Sequence, residues 1–132
     1  MSRRETEQAG ADVLIRQRVA DYAKAISAKD IDAVMSFFAP NVVSFDLAIH
    51  DLRYVGADAK RLEWLKVFAA YRSIDYEVTD MHVTGDGDIA FVHAVNHVKG
   101  TLHSGQTAAS RDLHGCRLAR GGAGVRLRGV AN

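Results

Sequence analysis

Ala25-Ile26-Ser27-Ala28-Lys29-Asp30-Ile31-Asp32-Ala33-Val34, continued by Phe38-Ala39-Pro40-Asn41-Val42-Val43-Ser44-Phe45-Asp46, is the stretch on which the fold turns. It reads as the end of one helix, a break, a short second helix and a strand. Upstream, Ile15, Val19, Tyr22, Ala23 and Ile26 recur at helical spacing, so residues 11–28 are expected to form a helix with one apolar stripe. Arg16, Asp21 and Lys24 fall largely on the other side. Tyr22 lies inside the stripe, which turns its hydroxyl toward the core or a cavity. Asp30 can cap the second helix, with Ile31, Val34, Met35 and Phe38 as its buried face. Pro40, the only proline, is expected to end it. In the strand at 41–47, Val43 and Phe45 share one face; Val42, Ser44 and Asp46 share the other.

Downstream, a loop through His50 and Asp51 leads to Arg53-Tyr54-Val55-Gly56. Asp58 can cap a third helix over 59–72. Leu62, Leu65, Phe68 and Ala69 give it a core stripe, and Trp64, Val67 and Tyr71 widen the apolar arc. Residues 74–83 alternate as a strand through Ile74, Tyr76 and Val78. Met81 and Val83 then continue out of phase, which predicts a β-bulge near Thr79-Asp80. Gly85-Asp86-Gly87 signals a hairpin, residues 88–102 another strand, and Ser104-Gly105 a turn. No helix follows Gly85-Asp86-Gly87, so it is no phosphate loop. Helices followed by an antiparallel meander imply an α+β domain.

At 132 residues the chain is long enough for one domain with a real core. A formal net charge of +1 argues for no polyanionic partner, so no nucleic acid is expected. The charge is uneven, because residues 106–132 carry five Arg against one Asp. Cys116 is the single cysteine and has no disulfide partner within the chain, which fits a reducing compartment. The start, Met1-Ser2-Arg3-Arg4-Glu5-Thr6-Glu7-Gln8, has no apolar h-region, and no apolar run reaches membrane-spanning length. A cytoplasmic protein with no membrane partner is the expectation.

The order and spacing of several segments resemble the NTF2-like superfamily in its SnoaL-like, ketosteroid-isomerase-like branch. The segments are Ala28-Lys29-Asp30-Ile31-Asp32, Val42-Val43-Ser44-Phe45-Asp46, Arg53-Tyr54-Val55-Gly56-Ala57-Asp58-Ala59, Ile74-Asp75-Tyr76-Glu77-Val78-Thr79-Asp80 and Ala90-Phe91-Val92-His93. The resemblance covers about residues 11–107 and sets apart 108–132 as an atypical Gly/Arg-rich tail. It implies a cone: N-terminal helices on a curved antiparallel sheet, with a pocket in the mouth. Members commonly form homodimers.

Relatives continue beyond such a segment with two more long strands, the first opening on a pattern like Asp-Leu-Trp-Val-Arg. Here the chain reads Ser110-Arg111-Asp112-Leu113-His114-Gly115-Cys116-Arg117, then Gly, Arg and Ala with no aromatic residue. The tail lacks alternation and reads as a poor strand former, so the last strands are doubtful. Codons for His114-Gly115-Cys116 read two bases later can give Trp directly after Asp112-Leu113, which suggests a frameshift. A divergent tail and a basic arm for an anionic partner remain alternatives. Losing both strands would open a sheet edge.

The resemblance implies Asp46 as general base and Tyr22 as hydrogen-bond donor to a developing enolate oxygen. A solvated Asp at a strand end and a core tyrosine would leave the same trace in sequence. The third group of an isomerase site has no clear equivalent, and Asp112 is unconvincing. Arg53 and Tyr54 flank the expected mouth and can orient a polar ligand or support a loop. Trp64, as core, interface or ligand platform, and Phe91, His93 and His97 complete the candidate lining; the two histidines either line the pocket with Phe91 and Val95 or face solvent. His93 and His97 are four apart on one strand face, ~13 Å, too far to chelate one metal. No metal and no cofactor are expected.

The implied function is a pocket for an apolar or aromatic small molecule. If catalytic, the chemistry is cofactor-independent proton transfer next to a carbonyl, as in an isomerase, cyclase or dehydratase. A non-catalytic binding or dimerisation module and a truncated, inactive product are the alternatives.

Overall fold

The computed structural model describes residues 3–46, 52–86, 89–121 and 124–131, with 4–9, 11, 41–46, 52–55, 86, 112–117, 119–121 and 124–131 described by backbone. The elements run α1 (Arg3–Ser27), α2 (Ile31–Met35), β1 (Phe38–Asp46), β2 (Leu52–Val55), α3 (Ala57–Ala70), β3 (Tyr71–Asp86), β4 (Ile89–Leu102), β5 (Thr107–Gly121) and β6 (Gly124–Ala131). His50, Asp51 and Gly87 lie outside the described residues.

The break between α1 and α2 is built by two neighbouring residues. Lys29 takes a positive φ of 55°. Its N–H donates to Ile26 O at 2.9 Å, and the Asp30 N–H reaches back to Ala25 O at 3.1 Å. This closes the last turn of α1 with a left-handed residue and a pair of back-bonds. Asp30 then opens α2, its carboxylate accepting from the Ala33 N–H at 3.1 Å. Replacing Asp30 with Ala should lower stability by about 1 kcal/mol, read as a shift in the urea midpoint at constant m-value.

Helix α2 ends at Met35 with Ser36 as its cap, whose hydroxyl donates to Ala33 O at 2.6 Å. Pro40 therefore does not end the helix as expected; it lies inside β1. It falls between Phe38 and Val43, where the pairing of β1 with β6 is irregular, so its missing N–H breaks no regular ladder.

The expected stripe of α1 is buried: Ile15, Val19, Tyr22 and Ile26 are all at most 6% exposed. Side-chain hydrogen bonds tie this helix to β3. Ser27 Oγ accepts from the Tyr76 N–H at 2.9 Å, and Arg16 donates to Met81 O at 3.1 Å. The second tie lands at the predicted bulge: the β3–β4 register shifts between Thr79 and His82, and Asp80 has a φ of 54°.

Helix α3 departs from the reading in two ways. Gly56, at φ 94°, stands at its N-cap with no side-chain cap bond, and Asp58 sits in the first turn instead. The buried row is Lys60, Trp64 and Phe68, while Leu62 and Leu65 are 61% and 40% exposed. The helix is apolar on two sides, and the side with the two large rings turns inward. Those rings cover more apolar surface than the two leucines would.

The six strands form one sheet in the order β2-β1-β6-β5-β4-β3. All neighbours are antiparallel except β1 and β6, which run parallel. The tail that reads as a poor strand former is paired: β5 matches β4 from Thr101↔Thr107 to Ile89↔Ala119, and β6 joins β5 to β1. Backbone hydrogen bonding to the long edge of β4 supplies what side-chain alternation does not. The β4 edge is therefore covered. Gly85 admits the tight approach of β4, since a Cβ there would come within 2.3 Å of Ile89 O. At the other end, Gly105 (φ 91°) makes the expected turn, its N–H donating to Leu102 O at 2.9 Å.

Candidate functional site

Tyr22 is the hub of the interior. It is 2% exposed, and its ring meets four others edge-on: Phe37 and Phe38 at 5.7 Å, Tyr76 at 6.1 Å and Trp64 at 6.3 Å. Three elements bring these rings together. Helix α1 supplies Tyr22, α3 supplies Trp64, and the inner face of β3 supplies Tyr76. Phe37 and Phe38 enter from the end of α2 and the start of β1. The expectation that Tyr22 points inward is met by its burial.

The interior also contains polar groups that the sequence reading did not single out. Asn96, 4% exposed on β4, donates from Nδ2 to the Tyr76 hydroxyl at 3.1 Å in a fully buried contact. Asn96 Oδ1 and Trp64 Nε1 are buried with no hydrogen-bond partner among the described residues. Lys60 is 0% exposed, and its Nζ lies 2.9 Å from Glu63 Oε2. The same ammonium stands 5.5 Å from the Trp64 ring centre and 5.7 Å from that of Phe38, within cation–π range. The signal for Asn96 was its place on the apolar face of β4, alternating with Ala90, Val92 and Ala94.

On β4 the structure takes the solvent-facing one of the two alternatives open for His93 and His97, and Phe91 goes with them. Phe91 is 55% exposed, His93 is exposed, and His97 shares their outer face. These three therefore do not line the interior that holds Tyr22 and Trp64. His93 stacks on His82 of β3 at 4.7 Å, and His97 Nε2 pairs with Thr79 Oγ1 at 2.8 Å. A face carrying His93, His97 and Lys99 is turned to solvent because ionisable groups are costly to bury.

Asp46 stands at the last position of β1, paired with Leu52, while Arg53 and Tyr54 pair with Phe45 and Ser44. Their side chains lie outside the described residues. Asp112 occupies the β5 position opposite Asn96. Among the described residues no group of three or more His, Cys, Asp or Glu is placed to hold a metal ion. No helix among them is long and apolar enough to cross a membrane.

This architecture recurs in solved structures. A protein provisionally named as an aromatic ring hydroxylase, from Novosphingobium aromaticivorans, is 25% identical with a TM-score of 0.81, over 89% of this chain and 83% of its own. A provisionally named scytalone dehydratase from the same species is 9% identical with a TM-score of 0.86, over 96% and 85%. A ketosteroid isomerase-like protein from Erwinia carotovora atroseptica is 20% identical with a TM-score of 0.75, over 90% and 92%. No curated protein matches the chain significantly. The model of the SnoaL-like domain matches residues 15–116, past the point where the resemblance in sequence was read to stop. By that match, which covers most of the chain, the protein belongs to the SnoaL-like domain family, with the NTF2-like fold.

Proposed function

We propose that the interior binds an apolar or aromatic small molecule and carries out proton transfer next to its carbonyl without a cofactor. In this reading Asp46 moves the proton and Tyr22 steadies the developing oxyanion. The observation that carries it is Tyr22, buried to 2% among aromatic rings at the position the family resemblance gives to the oxyanion donor. A hydroxyl in such surroundings is a stronger electrostatic partner than one in water, because little solvent competes with it. The structural neighbours include proteins named as a dehydratase and as isomerase-like, which agrees with enol chemistry. The proposal includes a homodimer in the cytoplasm.

A second reading, a binding or dimerisation module without turnover, is favoured by one observation. The four edge-on ring contacts of Tyr22 account for its burial as packing alone. The test is exchange of α-protons of cyclic and aryl ketones in D2O, followed by NMR. Catalysis predicts protein-dependent exchange that Asp46→Asn abolishes. Saturable ketone binding without exchange supports the module. Exchange that persists in Asp46→Asn removes Asp46 from the mechanism.

A further inference from the structure

We infer that the interior selects a ligand carrying both a carbonyl and a hydroxyl on a compact ring, the carbonyl accepting from Trp64 Nε1 and the hydroxyl bonding to the side-chain amide of Asn96. This deepens the proposed reading and rests on it. Trp64 and Asn96 are 7% and 4% exposed, and each holds a buried polar atom with no partner among the described residues. Buried polar atoms are satisfied in nearly all native structures, so these two define what a bound molecule must offer. The indole N–H only donates and therefore calls for an acceptor. Asn96 spends one end of its amide on the Tyr76 hydroxyl at 3.1 Å, leaving the other. A ligand hydroxyl serves that end whichever way the amide is turned, since it both donates and accepts.

Tyr76 links the two positions, bonded to Asn96 and with its ring 6.3 Å from that of Trp64. The apolar cluster that holds Trp64 and Tyr76 also holds the rings of Tyr22, Phe37, Phe38 and Phe68, which favours a flat apolar scaffold over a sugar or a phosphate ester.

The chain has one tryptophan, so its single indole N–H resonance reports directly on Trp64. The probes are para-hydroxyacetophenone, acetophenone and ethylbenzene, titrated by NMR with affinities from calorimetry. The expected result is a graded series: each added polar group tightens binding about ten-fold, and the indole proton moves downfield with both ketones and not with ethylbenzene. Trp64→Phe should remove the carbonyl increment and keep the hydroxyl increment. Asn96→Leu should do the reverse. The indole resonance gives the answer in the wild-type protein even if a variant fails to fold. Equal binding of all three probes overturns this inference and leaves the pocket reading standing. Binding of none overturns both. An indole proton that ignores the ketones and keeps a cross-peak to bound water assigns Trp64 Nε1 to a structural water, which also overturns it.

Discussion

Tyr22→Ala is expected to lower the stability of the fold by about 3–5 kcal/mol, the range for removing a large buried ring. The side chain is 2% exposed and its ring meets those of Phe37, Phe38, Trp64 and Tyr76 together, so its loss leaves a hole that no single neighbour can close. Against a typical total of 5–15 kcal/mol, this removes a large share of the margin. For a domain of this size it corresponds to a fall of roughly 10–20 °C in Tm. Guanidinium unfolding measures it directly. Tyr22→Phe separates packing from chemistry. It keeps the ring and all four edge contacts, so its cost should stay below about 1.5 kcal/mol. If the hydroxyl steadies an oxyanion, the same variant loses about 10²–10³ in the rate of α-proton exchange. A Tyr22→Phe protein that folds normally and exchanges at the wild-type rate would leave Tyr22 as a core residue alone.

The parts of the fold legible in sequence were those set by local chemistry. The α1 stripe needs only a 3.6-residue period, and its four main positions are all buried. The Lys29-Asp30 break needs one residue tolerant of positive φ and one capping carboxylate, both present in adjacent positions. The bulge at Thr79-Asp80 follows from a phase slip in alternation. What failed was the choice between two faces that are both partly apolar. In α3 Phe68 is buried as read, but Leu62 and Leu65 of its stripe yield to Trp64 from the wider apolar arc, and only the tertiary neighbours decide. Lys60 disguised the answer further, since a lysine at the head of the inward row reads as a surface residue until its partner Glu63 is seen. In β4 the face of Phe91, His93 and His97 was open to either side in sequence, and it is the solvent side. The strands after residue 107 were hidden for a different reason. Their pairing is specified by the neighbouring β4 edge and is not written in their own alternation.

Lys60→Ala is the other large expected effect, again about 3–5 kcal/mol of lost stability. Two costs combine. The aliphatic stem vanishes from beside Trp64 and Phe38, and the carboxylate of Glu63, only 16% exposed, loses the ammonium 2.9 Å away. The two separate by design of the replacement. Lys60→Met keeps an unbranched stem of similar length and deletes only the charge, so its cost reports the stranded carboxylate. Adding Glu63→Gln neutralises that carboxylate, and the double variant should recover a substantial part of the loss, because a charge left alone in a dry interior is what makes breaking such a pair costly. The double-mutant cycle by guanidinium unfolding gives the coupling energy between the two positions. A coupling near zero would mean that Glu63 stays solvated when Lys60 is changed. The loss in Lys60→Ala would then come from the stem that packs beside the Trp64 and Phe38 rings.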